Sequence, residues 1–461
     1  MHTGMKLKIV LVGAGSREFG PASLRDILLS DAVCAADLEV VLMDVKATEL
    51  PAMQQYAERV AEKLRRRVRL WHTTDLDKAL EGADFVITAI EIRRYFYWAQ
   101  DFHVPRQYGF RQIYGENGGP GGLFHALRNM GPMLEVARAM ERQCPDAWLL
   151  NYTNPLTKLC EALNRLSSIR TVGLCHGVFA GKKQLSRLLE VPVDDLEAYA
   201  CGLNHCTWFQ TIRHRKTGED LYAGLRERER EAHWLAEWDE IALSRILLRT
   251  FGLYPSPGTN HIGEYIRWAE EFLGSSLLQF FYDPVDGHPW DTGKVPTWIY
   301  NLHENATDIP LFTRRSESKA LDMDEPGEAI KPSGELAIPI IEGLFCGVRQ
   351  DLAAVNVANE GFVPGLPEGS IVEVPATVDQ EGLHAWTMAP LPEGILALLG
   401  RQTSINKLLV EAFANGSRRT LLQALLLEPT THSYRSAVAV LDRMCALQES
   451  VLPRMTWEAA I

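Results

Sequence analysis

Lys8-Ile9-Val10-Leu11-Val12-Gly13-Ala14-Gly15-Ser16 is the stretch that decides the fold. A strand-length run ends in a Gly-x-Gly turn, and Leu24, Ile27 and Leu28 then follow at helical spacing. Glycines let the backbone reverse sharply, and the free amides that open the next helix suit an anionic group. The same alternation continues downstream. Residues 38–43 form an apolar run ending at Asp44, with Met53, Tyr56 and Val60 at helical spacing after it. Residues 85–90 follow the acidic turn Glu81-Gly82-Ala83-Asp84, and further strands are expected at 147–150 and 171–174. This rhythm implies α/β architecture with a parallel, doubly wound, Rossmann-like sheet.

The glycine turn carries a cofactor expectation. Gly13, Gly15 and Ser16 would cradle a pyrophosphate at the helix N-terminus. The third glycine of the usual fingerprint is missing: Glu18 stands there, with Gly20 beyond it. Asp44, at the end of the second strand, can accept bonds from an adenosine ribose and would repel a 2′-phosphate, favouring NAD over NADP. A tight βα turn without ligand is the alternative.

Composition bounds the rest. A chain of 461 residues is expected to form two domains. The rhythm becomes irregular near residue 195, so residues 1–195 are read as the dinucleotide-binding unit and 196–461 as a mixed α+β unit. In the second, helical stretches at 226–250 and 396–450 flank a β-rich patch at 352–381. The content of 46% hydrophobic and 23% charged residues is that of an ordinary soluble enzyme. A net charge of −12 argues against nucleic-acid and anionic-membrane partners. Eight cysteines without CxxC pairing, and no signal-peptide pattern at the start, suggest reduced thiols and a cytoplasmic setting.

Several polar segments fall where the carboxyl edge of the sheet should lie. Cys175-His176 follows a strand, and Gly202-Leu203-Asn204-His205 comes thirty residues later. A thiolate and an imidazole suit a divalent transition metal, although a buried Cys and a satisfied core His are the commoner reading of that spacing. Glu91-Ile92-Arg93-Arg94, the loop Gly115-Glu116-Asn117-Gly118-Gly119-Pro120-Gly121-Gly122 and Asn151-Tyr152-Thr153-Asn154-Pro155 are the others. Asn154-Pro155 also reads as a helix start, with Asn capping and Pro first. Asn260-His261-Ile262-Gly263-Glu264-Tyr265 is expected to open an amphipathic helix and holds three residue types able to move protons.

Taken in this order, together with the late stretch VNVANEGFVPGLPEGSIVEVPATVD, these segments resemble glycoside hydrolase family 4. The resemblance implies a fold like that of lactate and malate dehydrogenases. It also implies an NAD- and Mn2+-dependent glycosidase working by redox-assisted elimination. NAD+ would take hydride from sugar C3, the metal would polarise the C2 and C3 oxygens, and a base would remove the acidified C2 proton. The aglycone would leave from C1 with an acid's help, water would add, and the ketone would be reduced again. By position, Cys175 and His205 resemble the metal ligands and His176 the leaving-group acid. Tyr265 resembles the base, with Asn260 or His261 as alternatives, and Glu116 the carboxylate that strengthens it. Arg93 and Asn154 would contact substrate, Asn154 also lying near the nicotinamide.

Cys175-His176-Gly177 resembles the α-glucuronidase and α-galacturonidase branch, whose substrate carboxylate would want an arginine such as Arg94, Arg267, Arg314 or Arg315. Neutral-sugar α-glucosidase or α-galactosidase activity is the alternative within the family. A lactate/malate-type 2-hydroxyacid dehydrogenase and a non-catalytic NAD sensor are the alternatives outside it. A homodimer or homotetramer is expected.

Overall fold

The structure, a computed structural model, describes residues 4–16, 19–231, 241–272 and 330–457. Six strands form the first half of one sheet: β1 (Lys6–Val12), β2 (Asp37–Met43), β3 (Arg69–Thr73), β4 (Phe85–Thr88), β5 (Trp148–Asn151) and β6 (Arg170–Gly173). They are ordered β3-β2-β1-β4-β5-β6, every pair parallel. That is the doubly wound order, with the chain reversing direction across the sheet between β1 and β4, and ligands bind at such a switch point.

Strand β3 has no counterpart in the sequence reading. It pairs only with β2, and its five residues are all exposed or half-buried. An edge strand buried on neither face has no apolar run to betray it. The expected 396–450 helix is three helices: Glu393–Asn415, Arg418–Leu427 and Tyr434–Leu447. The first ends at Gly416 in the left-handed region (φ 61°). The hydroxyls of Ser417 and Ser433 then cap the next two by accepting from the amides of Thr420 and Ser436. Of the 226–250 stretch, Tyr222–Glu231 and Ala242–Phe251 are helical, and 232–240 lie outside the described residues.

The second half of the chain extends the sheet. Strands β7 (Leu196–Leu203), β8 (Cys206–His214), β9 (Tyr254–Ser256), β10 (Gln350–Ala358), β11 (Ile371–Asp379) and β12 (Gly382–Ala385) are antiparallel to their neighbours. The order continues β6-β10-β11-β7-β8-β9, with β12 beside β11, so among the described residues twelve strands make one continuous sheet. The change of rhythm near residue 195 therefore coincides with the switch from parallel to antiparallel pairing. No helix among the described residues is long and apolar enough to cross a membrane.

The glycine turn after β1 is packed to contact. The amides of Gly13 and Ala14 both donate to Met43 O, at 2.9 and 3.0 Å, which ties the turn to the end of β2. Gly13 has φ 85°, and a Cβ there would lie 2.4 Å from Ala89 O. Gly20, in the first turn of α1 (Phe19–Leu29), comes so near the turn that a Cβ would meet Ala14 O at 2.7 Å. Gly20 thus serves the helix-to-strand approach that the missing third glycine would have served. Gly13→Ala combines a positive φ with a backbone clash, so a loss of about 1–3 kcal/mol is expected. Urea denaturation of the two proteins measures it, and equal midpoints would contradict the packing described.

Candidate functional site

Cys175 lies just beyond β6, and His176 is the N-cap position of α8 (Gly177–Leu189). His205 occupies the two-residue turn between β7 and β8, where Leu203 pairs with Cys206. Its φ of 65° is left-handed, a conformation that costs a non-glycine residue about 1–3 kcal/mol and persists only where surroundings enforce it. The turn delivers His205 Nε2 to 3.3 Å from Cys175 Sγ, and the amide of Gly177 also reaches the sulfur, at 3.4 Å. An ion held by a thiolate and an imidazole at ordinary bond lengths, with an angle of about 90–110° between them, spaces S and N by roughly 3.1–3.6 Å. The observed pair fits that span.

A cavity of about 300 Å³ opens on this pair, walled by Cys175, His176, Gln184, His205, Asn260 and His261 among others. A larger one, about 750 Å³, is lined by Arg111, Arg267, Trp268 and His432 and shares no residue with it. The smaller cavity is the candidate, because it holds the thiol and the imidazoles at the carboxyl end of a strand.

The rings of His205 and His261 lie 4.3 Å apart, and Glu116, His205 and His261 offer ligand atoms all within 4.8 Å of one another. Nδ1 of each histidine is buried with no hydrogen-bond partner among the described residues. Burial pushes His205 down to about 3, helped by His261, and lowers His261 as well, so both are neutral imidazoles with lone pairs to give. Burial also pushes the Cys175 thiol up to about 12, and a coordinated cation would reverse that by stabilising the thiolate. Burial works against ionised Glu116, but Arg94, 2.6 Å away, overcomes it and holds the carboxyl down at about 2.

The loop bearing Glu116 is fixed by Glu264. This carboxylate accepts from the amides of Glu116 (2.8 Å) and Asn117 (3.0 and 3.1 Å), and burial with repulsion from Glu116 raises it to about 8. The segment expected to open an amphipathic helix is instead a four-residue turn of helix, Thr259–Ile262, followed by a 3-10 turn, Gly263–Tyr265. Helical periodicity fails because Glu264 turns inward to the loop while Tyr265 sinks into an apolar cluster with Leu203, Trp208 and Val374. The Tyr265 hydroxyl donates to Asn204 O at 3.4 Å, and burial raises the phenol well above its usual range. That placement takes Tyr265 off the cavity wall and gives no support to its expected use as the base.

The other expected residues have partners of their own. Arg93, left-handed at φ 43°, stacks its guanidinium 4.5 Å over Phe96. Glu91 accepts from His125 and Asn129, and Asn129 also donates to Asn154 O at 3.1 Å. Asn154 Oδ1 accepts from Leu156 N at 3.3 Å, with Pro155 in the cap position and a cis bond between 154 and 155, so the helix starts one residue later than expected. At the other end, Asp44 reaches back over the glycine turn, accepting from Gly15 N at 3.0 Å and Lys46 N at 2.8 Å. A carboxylate with two such bonds keeps lone pairs for ribose hydroxyls. Ser16 Oγ accepts from Phe19 N and so caps the helix the pyrophosphate would face. Of the arginines considered for a uronate, Arg94 is bound to Glu116, Arg267 lines the other cavity, and Arg314 and Arg315 lie outside the described residues.

Comparison with known proteins identifies the family. The model for the family 4 glycosyl hydrolases covers residues 8–191, and that for their C-terminal domain covers 200–431. The chain belongs to glycosyl hydrolase family 4. An α-glucosidase of Erwinia rhapontici is 34% identical over 96% of this chain and 98% of its own. An α-galacturonidase of Thermoanaerobacterium saccharolyticum is 29% identical over 71% of each. Among solved structures, a 6-phospho-α-glucosidase from gut microorganisms in complex with NAD and Mn2+ superimposes with a TM-score of 0.76, 22% identity, and 98% and 100% coverage.

Within this family 4 chain, three carboxylates have partners that the sequence reading did not assign: Glu264 on the loop amides, Glu335 at 3.0 Å from His176 Nε2, and Glu373 under Asn204. Each acts through a partner distant in sequence, so no local motif marks it. Glu264 also sets a pH dependence. Its folded value, about 8, lies above the ordinary 4.5, so its contribution to stability is complete below 4.5 and lost as pH rises towards 8. Chemical denaturation from pH 5 to 8.5 should show the wild type losing stability more steeply than Glu264→Gln. Parallel profiles would show that Glu264 titrates normally.

Proposed function

We propose that this chain is an NAD- and Mn2+-dependent α-glycosidase that cleaves its substrate by transient oxidation at sugar C3. The observation that carries the reading is Cys175 Sγ 3.3 Å from His205 Nε2 on the wall of a cavity shared with His176, Asn260 and His261. The solved 6-phospho-α-glucosidase complex, which contains both NAD and Mn2+, supports the choice of cofactors.

When bound, the dinucleotide exchanges hydride with C3 and the divalent ion draws electron density from the C2 and C3 oxygens. The chain's own residues do the rest. Gly13, Gly15 and Ser16 leave room and amides for the pyrophosphate, and Asp44 receives the ribose. Cys175 and His205 would hold the ion. His261, neutral and with Nδ1 unpartnered, takes the C2 proton; Asn260 beside it has no basic group and binds hydroxyls. Glu116, kept ionised by Arg94, stabilises the imidazolium that His261 becomes. His176 gives a proton to the departing oxygen. Arg93 and Asn154 complete the sugar site on the side of Glu91.

For the substrate we infer an α-uronide, because Cys175-His176-Gly177 follows the pattern of the uronidase branch and an α-galacturonidase is among the relatives. A neutral α-hexoside is the second reading. It is favoured by the α-glucosidase relative and by a cavity wall on which, among the described residues, neither Arg nor Lys stands. Assay of nitrophenyl α-glucuronide, α-galacturonide, α-glucoside and α-galactoside, with reductant, Mn2+ and NAD+ far below substrate concentration, tests both. Uronide hydrolysis through many turnovers per NAD+ is expected. Preference for hexosides would establish the second reading, and net NADH formation would overturn glycosidase action.

A binding measurement tests the metal site apart from turnover. Cys175→Ser should weaken Mn2+ binding by roughly 100-fold, while NAD+ affinity shifts less than about threefold. Unchanged Mn2+ affinity by titration calorimetry would remove Cys175 from the ligand set.

A further inference from the structure

Glu335 precedes the helix Ala337–Leu344, and its side chain is only 8% exposed although its partner His176 is 51% exposed. The segment that presents it is latched at several points to the glycine-turn half of the fold. Ser333 N donates to Asp26 Oδ1 at 2.7 Å and the Ser333 hydroxyl bonds the other oxygen of that carboxylate. Glu335 N in turn donates to Ser333 Oγ at 3.1 Å. Ala337 N donates to the Tyr152 hydroxyl at 3.1 Å, and the Tyr152 ring stacks on Phe19 with centroids 5.6 Å apart. Asp26 and Phe19 both belong to α1, so the carboxylate is anchored on either side of Glu335. Tyr152 also bonds to Glu335 itself. A mobile surface ion pair contributes little and needs no such framework.

We propose that Glu335 is the positioning residue of the leaving-group acid: it accepts the Nε2–H of His176 and leaves Nδ1–H as the nitrogen that serves the glycosidic oxygen. The inference rests on the reading of His176 given above. The bond at 3.0 Å and the latched segment behind Glu335 fix the orientation of the ring on the cavity wall. In the step concerned, the C2 proton goes to the base and its electron pair forms the C1–C2 double bond. The C1–O bond breaks with its electrons on the aglycone oxygen, which takes the Nδ1 proton from His176. No oxidant or reductant enters this step; the C3 ketone is already present.

The test uses the full chain with NAD+ and Mn2+ and compares wild type, Glu335→Gln and Glu335→Asp. Each acts on a nitrophenyl glycoside and a methyl glycoside of the sugar that wild type prefers. A nitrophenolate leaves without protonation, whereas methanol needs it, and acid assistance is worth roughly 100- to 10,000-fold. Glu335→Gln is expected to lose about 100-fold or more in kcat on the methyl glycoside and less than about threefold on the nitrophenyl glycoside. Glu335→Asp should recover most of the loss. Equal losses on both substrates, or none on either, would overturn the proposal. If Glu335→Gln does not fold, as judged by thermal melting, Ser333→Ala serves in its place. It loosens the segment but keeps the carboxylate, and the same selective loss at smaller size is expected. Deuterium exchange at C2 in D2O is followed separately. Its absence in wild type would refute the elimination route, whereas the aglycone comparison still decides the part played by Glu335.

Discussion

The buried carboxylate of Glu373 joins the two pieces of backbone on which the site depends. Glu373 sits on β11 and receives the side-chain amides of Asn356 on β10, at 2.9 Å, and Asn204, at 3.0 Å. Asn356 also donates to Gly173 O on β6, and Asn204 is the neighbour of His205. The strand that leads to Cys175 and the hairpin that carries His205 are separated in the sheet by β10 and β11, so their side chains meet only if all four strands keep register. A single register slip would flip every side chain to the other face. The register in this region is carried by few main-chain pairs: β10 meets β6 at Asn356 with Gly173, and β11 meets β7 at Glu373 with Gly202. Side-chain bonds supply what the ladder lacks. Removing one partner of such a network is costly, because the others are then left buried and unmatched.

Around that frame, charge is arranged by burial more than by number. Arg94 keeps Glu116 ionised, burial and the charge of Glu116 push Glu264 the other way, and His205 and His261 stay neutral. Groups whose surroundings drive their proton affinities apart are the usual material of acid–base chemistry. Here the contrast is built between segments far apart in the chain: Glu264 and Glu116 are separated by 148 residues.

That separation explains what the sequence disclosed and what it hid. The parallel half was legible because β1, β2 and β4 to β6 are buried apolar runs with helices between them, and the glycine turn announced itself through steric need. Edge strand β3 was silent for want of any buried face. Cys175, His176 and His205 could be named only through the ordered family-like segments, because their spacing alone reads more readily as a buried thiol and a satisfied core histidine. The amphipathic helix expected at 260–265 is missing because the segment follows the demands of the Glu116 loop, not its own helical periodicity. Glu335 looks like a surface residue in the linear text, and nothing local to Glu264 or Glu373 names the partners they take. Only the fold buries them and gives them partners.

The unbroken sheet also governs how the polypeptide can be divided. Although the two family models meet between residues 191 and 200, β6 is flanked by β10, a strand drawn from the far end of the chain. A fragment stopping at that junction would expose β6 as a new edge and uncover apolar residues that β10 and its neighbours bury. Such edges are templates for association with other chains. The amino-terminal half alone would therefore carry an uncovered edge at β6, which during synthesis stays open until the carboxy-terminal half emerges.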